Sequence, residues 1–101
     1  MLETPLKFPP DASLVRVKRS IEKACTDGGL TLTLKDTLKQ YPGCTHWHFK
    51  RGQERGTLEI TLWPLGRRAW FKVSPSRTGE WIEPALVHIQ QFVTAEFKRQ
   101  P

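Results

Sequence analysis

From Thr45 to Ser74 apolar and polar residues alternate through three short runs, and the rest of the chain is organised around this stretch. Side chains along a strand point alternately to opposite faces, so Trp47 and Phe49 fall on one side of the first run and His46, His48 and Lys50 on the other. In the second run the apolar set is Leu58, Ile60 and Leu62; in the third it is Ala69, Phe71 and Val73. A one-residue slip in pairing would move every apolar side chain to the wrong face. The pattern therefore predicts an antiparallel meander in one register, with Phe49 opposite Leu58, Trp47 opposite Ile60, Ile60 opposite Phe71 and Leu62 opposite Ala69. The same register sets His48, Glu59 and Lys72 in one row of the other face and His46, Thr61 and Trp70 in the next. Trp63 and Arg68 lie at one end of that face, and Lys50, Thr57 and Ser74 at the other.

On either side of the meander the period changes. Leu14, Val17, Ile21, Ala24 and Cys25 recur at three- and four-residue spacing, the mark of an amphipathic helix with one buried stripe. Asp11 or Ser13 can cap its start, and Gly28-Gly29 supplies the stop. A second helix begins near Trp81 to Glu83, because Pro84 is tolerated only in the first turn. Its stripe is Ile82, Leu86, Ile89, Val93 and Phe97, widened by Ala85 and Phe92. Trp81 reads as a packing residue at the helix start. Cys25, on the buried stripe of the first helix, reads as a small hydrophobe.

Leu30 to Tyr41 fits two patterns: Leu30, Leu32 and Leu34 alternate as in a strand, while Leu34, Leu38 and Tyr41 repeat as in a helix. Thr31, Thr33 and Thr37 favour a fourth strand, joined to the meander through a type II turn at Tyr41-Pro42-Gly43-Cys44. The alternative is a short helix from about Leu34 to Gln40. Pro5, Pro9 and Pro10 make residues 1–10 an irregular, partly disordered lead-in. The expected fold is α+β, a two-layer sandwich in which an antiparallel meander of three to four strands is flanked in sequence by two helices packed on one face, in the order α-β-β-β-β-α or α-β-β-β-α. Residues 1–101 are one domain, since a chain of this size buries only about 60–70% of its unfolded surface and supports one core.

Composition narrows the partners. Sixteen Lys and Arg against ten Asp and Glu give a formal charge of +6, which attracts polyanions, although the basic residues are spread along the chain. There is no apolar run long enough to span a membrane, and Met1-Leu2-Glu3-Thr4-Pro5 lacks the character of a signal peptide, so a cytoplasmic protein with no membrane partner is expected. Two cysteines are too few for a disulfide scaffold.

The element order helix, meander, helix resembles that of the double-stranded-RNA-binding domain, as topology over most of the chain. That family carries a lysine cluster at the start of its last helix, where this chain reads Ser76-Arg77-Thr78-Gly79-Glu80, and its loop motif has no counterpart here. No family is assigned.

The exposed sheet face admits three uses. Trp63 and Trp70 interleaved with His46, His48, Lys50, Arg68 and Lys72 suit single-stranded nucleic acid, with bases stacked on indoles and phosphates on cations. The same tryptophans could form a homodimer or protein-partner patch. Lastly, Cys44, His46 and His48 alternate along one strand with Glu59 across from His48, a spacing that allows a metal or a small enzyme site. Ordinary cross-strand charge pairing of Glu59 with His48 and Lys72 accounts for the same residues. No nucleophile motif, HExxH or phosphate loop is present, so a non-enzymatic binding domain without cofactor is expected, nucleic acid ranking first among its partners.

Overall fold

A computed structural model describes residues 2–98. In chain order the elements are β1 (Leu2–Leu6), α1 (Leu14–Asp27), β2 (Thr31–Asp36), β3 (Thr45–Lys50), β4 (Leu58–Trp63), β5 (Arg68–Val73), a 3-10 turn at Pro75–Arg77, and α2 (Ile82–Lys98). The strands form one antiparallel sheet in the order β1-β5-β4-β3-β2. The α+β class and the two helices are as expected; the sheet has five strands rather than three or four. Among the described residues no helix is long and apolar enough to cross a membrane.

The meander takes the expected register throughout. Trp47 pairs with Ile60, Phe49 with Leu58 and His48 with Glu59 across β3 and β4, and Ile60 pairs with Phe71 and Glu59 with Lys72 across β4 and β5. Trp47, Phe49, Leu58, Ile60, Leu62, Phe71 and Val73 enter one hydrophobic core with Val17, Ile21, Ala24 and Cys25 of α1 and Ile82, Ile89 and Val93 of α2. Burial also pushes the Cys25 thiol up to about 12, with Glu22 adding to the effect, which leaves it protonated and inert.

Both helices are bounded where their caps dictate. Ser13 caps α1, its hydroxyl accepting from the Arg16 amide, and Gly28 closes it through its amide to Ala24. Pro84 sits in the first turn of α2, where its missing amide hydrogen costs nothing.

The expected irregular lead-in is a correction. Leu2–Leu6 is a strand, paired to β5 with Leu2 opposite Val73, Thr4 opposite Phe71 and Leu6 opposite Ala69. Pro5 excludes a central strand, but an edge strand has one unpaired side and tolerates a residue without an amide donor. Leu6, buried in the core, makes the pairing worthwhile. The Arg67 guanidinium then holds the chain between β1 and α1, donating to the carbonyls of Pro10 at 3.0 Å and Ala12 at 2.7 Å.

Leu30–Tyr41 takes the strand reading over its first half, and the turn before β3 forms as expected, with the Cys44 amide on the Tyr41 carbonyl and Gly43 at φ 80°. β2 is nevertheless not a regular strand. Leu32 pairs with Phe49 but Leu34 pairs with His48, so Thr33 is an extra residue in a bulge. Beyond it the faces exchange: Lys35 turns to the helix side, opposite Trp47, while Leu34 and Asp36 join the histidine face. Lys35 Nζ pairs with Glu22 of α1 at 2.6 Å, and the same carboxylate accepts from the Trp47 indole at 3.0 Å. Burial raises the basicity of Glu22, but these two donors and the nearby Lys35 and Lys18 charges outweigh it and hold the carboxyl below its ordinary range.

At the opposite corner the loop before α2 docks on the β3–β4 loop. The Trp81 indole donates to the Arg55 carbonyl at 2.8 Å, and the Thr57 amide donates to the Arg77 carbonyl. Gly79 lies so close beneath that a Cβ there would collide with the Arg55 carbonyl oxygen. Because the obstacle is backbone, a side chain can be admitted only by separating the two loops. Gly79→Ala should therefore destabilise the protein by about 1–3 kcal/mol, read as a lower urea midpoint, whereas Gln53→Ala on the exposed loop should leave the midpoint unchanged.

Candidate metal centre

The face of the sheet away from the core divides into three parts. At one end the β2–β3 loop folds over it, and Tyr41 packs edge-on against Trp63 and Trp70, with ring centroids 5.2 and 4.8 Å away. The Arg68 guanidinium lies 5.2 Å from the Trp70 ring. Trp70 is only 7% exposed, so the expected pair of open indoles is a correction: the platform for stacking bases is already occupied by Tyr41. Cys44, also buried here, accepts a hydrogen bond from the Leu38 amide at 3.2 Å and does not join the other candidate donors. At the other end Lys50 is tied to the Gly56 carbonyl at 2.9 Å.

Between these ends His46, His48 and Glu59 converge. His46 Nε2 lies 3.0 Å from His48 Nε2 and 3.4 Å from Glu59 Oε1, and His48 Nε2 lies 3.7 Å from the same oxygen. Alternation puts both imidazoles on one face of β3, and the pairing of His48 with Glu59 brings the carboxylate from β4 to meet them. His46 and Glu59 are buried at 6% and 8% exposure, while His48 is open enough to connect the cluster with solvent.

The geometry matches a transition-metal donor set. The nearest equidistant point, in the plane of the three atoms, lies about 2.0 Å from each, so an ion at the Zn–N and Zn–O bond length would sit close to that plane. Tetrahedral donors at that bond length stand roughly 3.3 Å apart, within the range of the three separations here. His46 is also held as a ligand must be: its Nδ1 faces the hydroxyl of Thr61 at 2.8 Å. With the Nδ1 hydrogen donated to Thr61, Nε2 presents its lone pair to the cluster. Ser74 Oγ reaches Glu59 Oε2 at 3.4 Å and leaves Oε1 to the histidines.

Electrostatics favour the deprotonated ligand. Burial lowers the basicity of His46, and the neighbouring His48 and the Lys72 ammonium act in the same direction, against the opposing pull of Glu59 and Asp36. Lys72, opposite Glu59 in register, makes no ion pair or hydrogen bond among the described residues, so the expected pairing of Glu59 with Lys72 gives way to contacts with the two histidines. Thr61, Asp36 and Tyr41 belong to this face although the sequence pattern does not single them out as functional. Thr61 is visible in the register as the neighbour of His46; Asp36 arrives through the bulge and Tyr41 through the fold of a loop.

Comparison with protein-family models, with characterised proteins and with solved structures finds no match to this chain.

Because the His46 ring is held neutral, the folded state binds fewer protons than the unfolded chain once the pH falls below the ordinary histidine range. In chelator-treated protein, stability should thus be fully present near neutral pH and decline as the solution is acidified from the ordinary histidine value of 6.5 toward the lower folded one. His46→Gln should flatten that part of a plot of urea midpoint against pH; an equal slope in both proteins would contradict the assignment.

Proposed function

We propose that this small α+β domain is a zinc-binding module, with His46, His48 and Glu59 as the protein ligands of one ion. The observation that supports it is the convergence of two imidazole nitrogens and one carboxylate oxygen on a point at zinc bond length, with Thr61 orienting the most buried ligand. Ordinary charge compensation needs a cation beside Glu59 and would be served by Lys72. It gives no reason for two imidazole nitrogens to face one another, an arrangement that requires a shared proton or a shared cation. The donor set of two nitrogens and one oxygen suits zinc and excludes the hard cations, which take all-oxygen cages. Three protein donors leave the fourth tetrahedral position to an outside ligand, the pattern of a working centre rather than of a closed structural one.

This reading replaces the nucleic-acid use of the same face as the leading one. Base stacking would need Tyr41 to leave Trp63 and Trp70 and give up both edge contacts. The expectation of a domain without cofactor is replaced as well. The net positive charge remains compatible with a module that meets anionic ligands.

Calorimetric titration of chelator-treated protein with Zn2+ should give one equivalent bound, and Co2+ should give the visible absorption of a tetrahedral site. His46→Ala and Glu59→Gln should abolish both signals. Thr61→Val, which keeps the side-chain shape and removes the hydroxyl, should weaken the metal by about 10–100-fold. Folded wild-type protein that takes up neither ion would refute the proposal.

A further inference from the structure

The bulge in β2 decides what surrounds the fourth position. Without it Leu34 would follow Leu32 onto the core side; with Thr33 as the extra residue, Leu34 stands beside His48 on the metal face at 41% exposure. The irregularity is pinned at two points. Thr33 Oγ1 donates to the His48 carbonyl at 3.2 Å, and Lys35 is held on the opposite side by Glu22. Bulges recur beside functional sites because they re-aim side chains at small cost to the sheet. Here the result is a row across all five strands, Leu34, His48, Glu59, Lys72 and Glu3, in which the metal donors stand between an apolar side chain and a cation. Adjacent strands are about 4.8 Å apart, so the row spans roughly 14 Å from Leu34 to Lys72.

Lys72 is the second clue. It faces Glu59 on one side and Glu3 on the other, yet it bonds to neither. Glu59 aims one oxygen at the histidines and the other toward Ser74, which leaves the ammonium as a donor in search of an acceptor. A zinc ion with two neutral imidazoles and one carboxylate carries one net positive charge, and Lys72 adds a second beside it. Asp36, across from His46, is turned to the Thr37 amide at 2.7 Å, and Glu3, across from Lys72, makes no ion pair with it, so the two carboxylates offset only part of this.

Resting on the zinc reading above, we infer that the fourth position takes an organic monocarboxylate, one oxygen on the metal and the other toward Lys72, with its carbon chain lying along Leu34. A planar group with two oxygens needs two positive partners, and two are present. Inorganic phosphate could meet the same two charges but has no carbon chain to lie on Leu34. Leu34 contributes an exposed apolar surface at the distance of a chain of a few carbons, so the site should prefer longer alkyl carboxylates to acetate.

The test uses the cobalt form, titrated with acetate and with hexanoate and read by the visible absorption of the metal. Both anions should shift the spectrum, hexanoate at roughly tenfold lower concentration. Lys72→Met should still take up one equivalent of cobalt but should weaken both anions about tenfold. Leu34→Ala should leave acetate unchanged and remove the preference for hexanoate. Cobalt uptake without any spectral response to carboxylates, or the same response in Lys72→Met as in wild type, overturns this inference and leaves the zinc site standing. Absence of cobalt uptake in wild type overturns the zinc site, and this inference with it.

Discussion

Every feature of this molecule depends on the register of the three-strand meander, and that register is imposed by the burial of Trp47. An indole of this size placed on the solvent face would forfeit much of the apolar burial that stabilises a domain of 101 residues, and the loss would extend to Phe49, Ile60 and Phe71, because strands shift as units. The pairing that buries these rings also places His46 and His48 beside Glu59 and Thr61. The candidate metal centre is thus held in place by the hydrophobic core on the other side of the same strands. Such a centre needs few supporting side chains: the Thr61 hydroxyl on His46 and the Ser74 hydroxyl on Glu59.

The buried indole of Trp47 carries a polar group that must be satisfied, and the solution propagates outward. Its donor meets the half-buried Glu22, and Lys35 reaches the same carboxylate from the edge strand. For Lys35 to face the helix while Leu32, opposite Phe49, lies on the same face, the strand must gain a residue between them. The bulge at Thr33 is the consequence, and it is the bulge that turns Leu34 and Asp36 toward the histidines. A hydrogen-bonding requirement inside the core therefore shapes the surface on the far side of the sheet.

The exposed face is divided by one loop. Tyr41 closes over the two tryptophans and converts what would be a large apolar patch into a small secondary cluster, with Arg68 laid over its margin. The uncovered remainder is centred on His48, with the exposed Leu34 beside it. Charge on this face is likewise local: Lys50 is consumed by a backbone carbonyl, whereas Lys72 is left beside the three donors.

By itself the sequence determined the meander and its register, both helices, the stop of the first at Gly28 and the place of Pro84 in the second, the turn at Pro42-Gly43, and the membership of His46, His48 and Glu59 in one face. These are legible because alternation, helical period and turn chemistry are local properties that a few neighbouring residues express. Tertiary structure alone decided that Leu2–Leu6 would complete the sheet, since proline forbids a central strand but is silent about an edge whose partner lies far along the chain. It alone decided that Tyr41 would cover Trp63 and Trp70, that Leu34 would change faces, and that three donor atoms on one face would lie 3.0 to 3.7 Å apart. Each of these depends on the path of a loop, the twist between strands or the rotamer a side chain adopts against neighbours distant in the chain, and no pattern of adjacent residues carries that information.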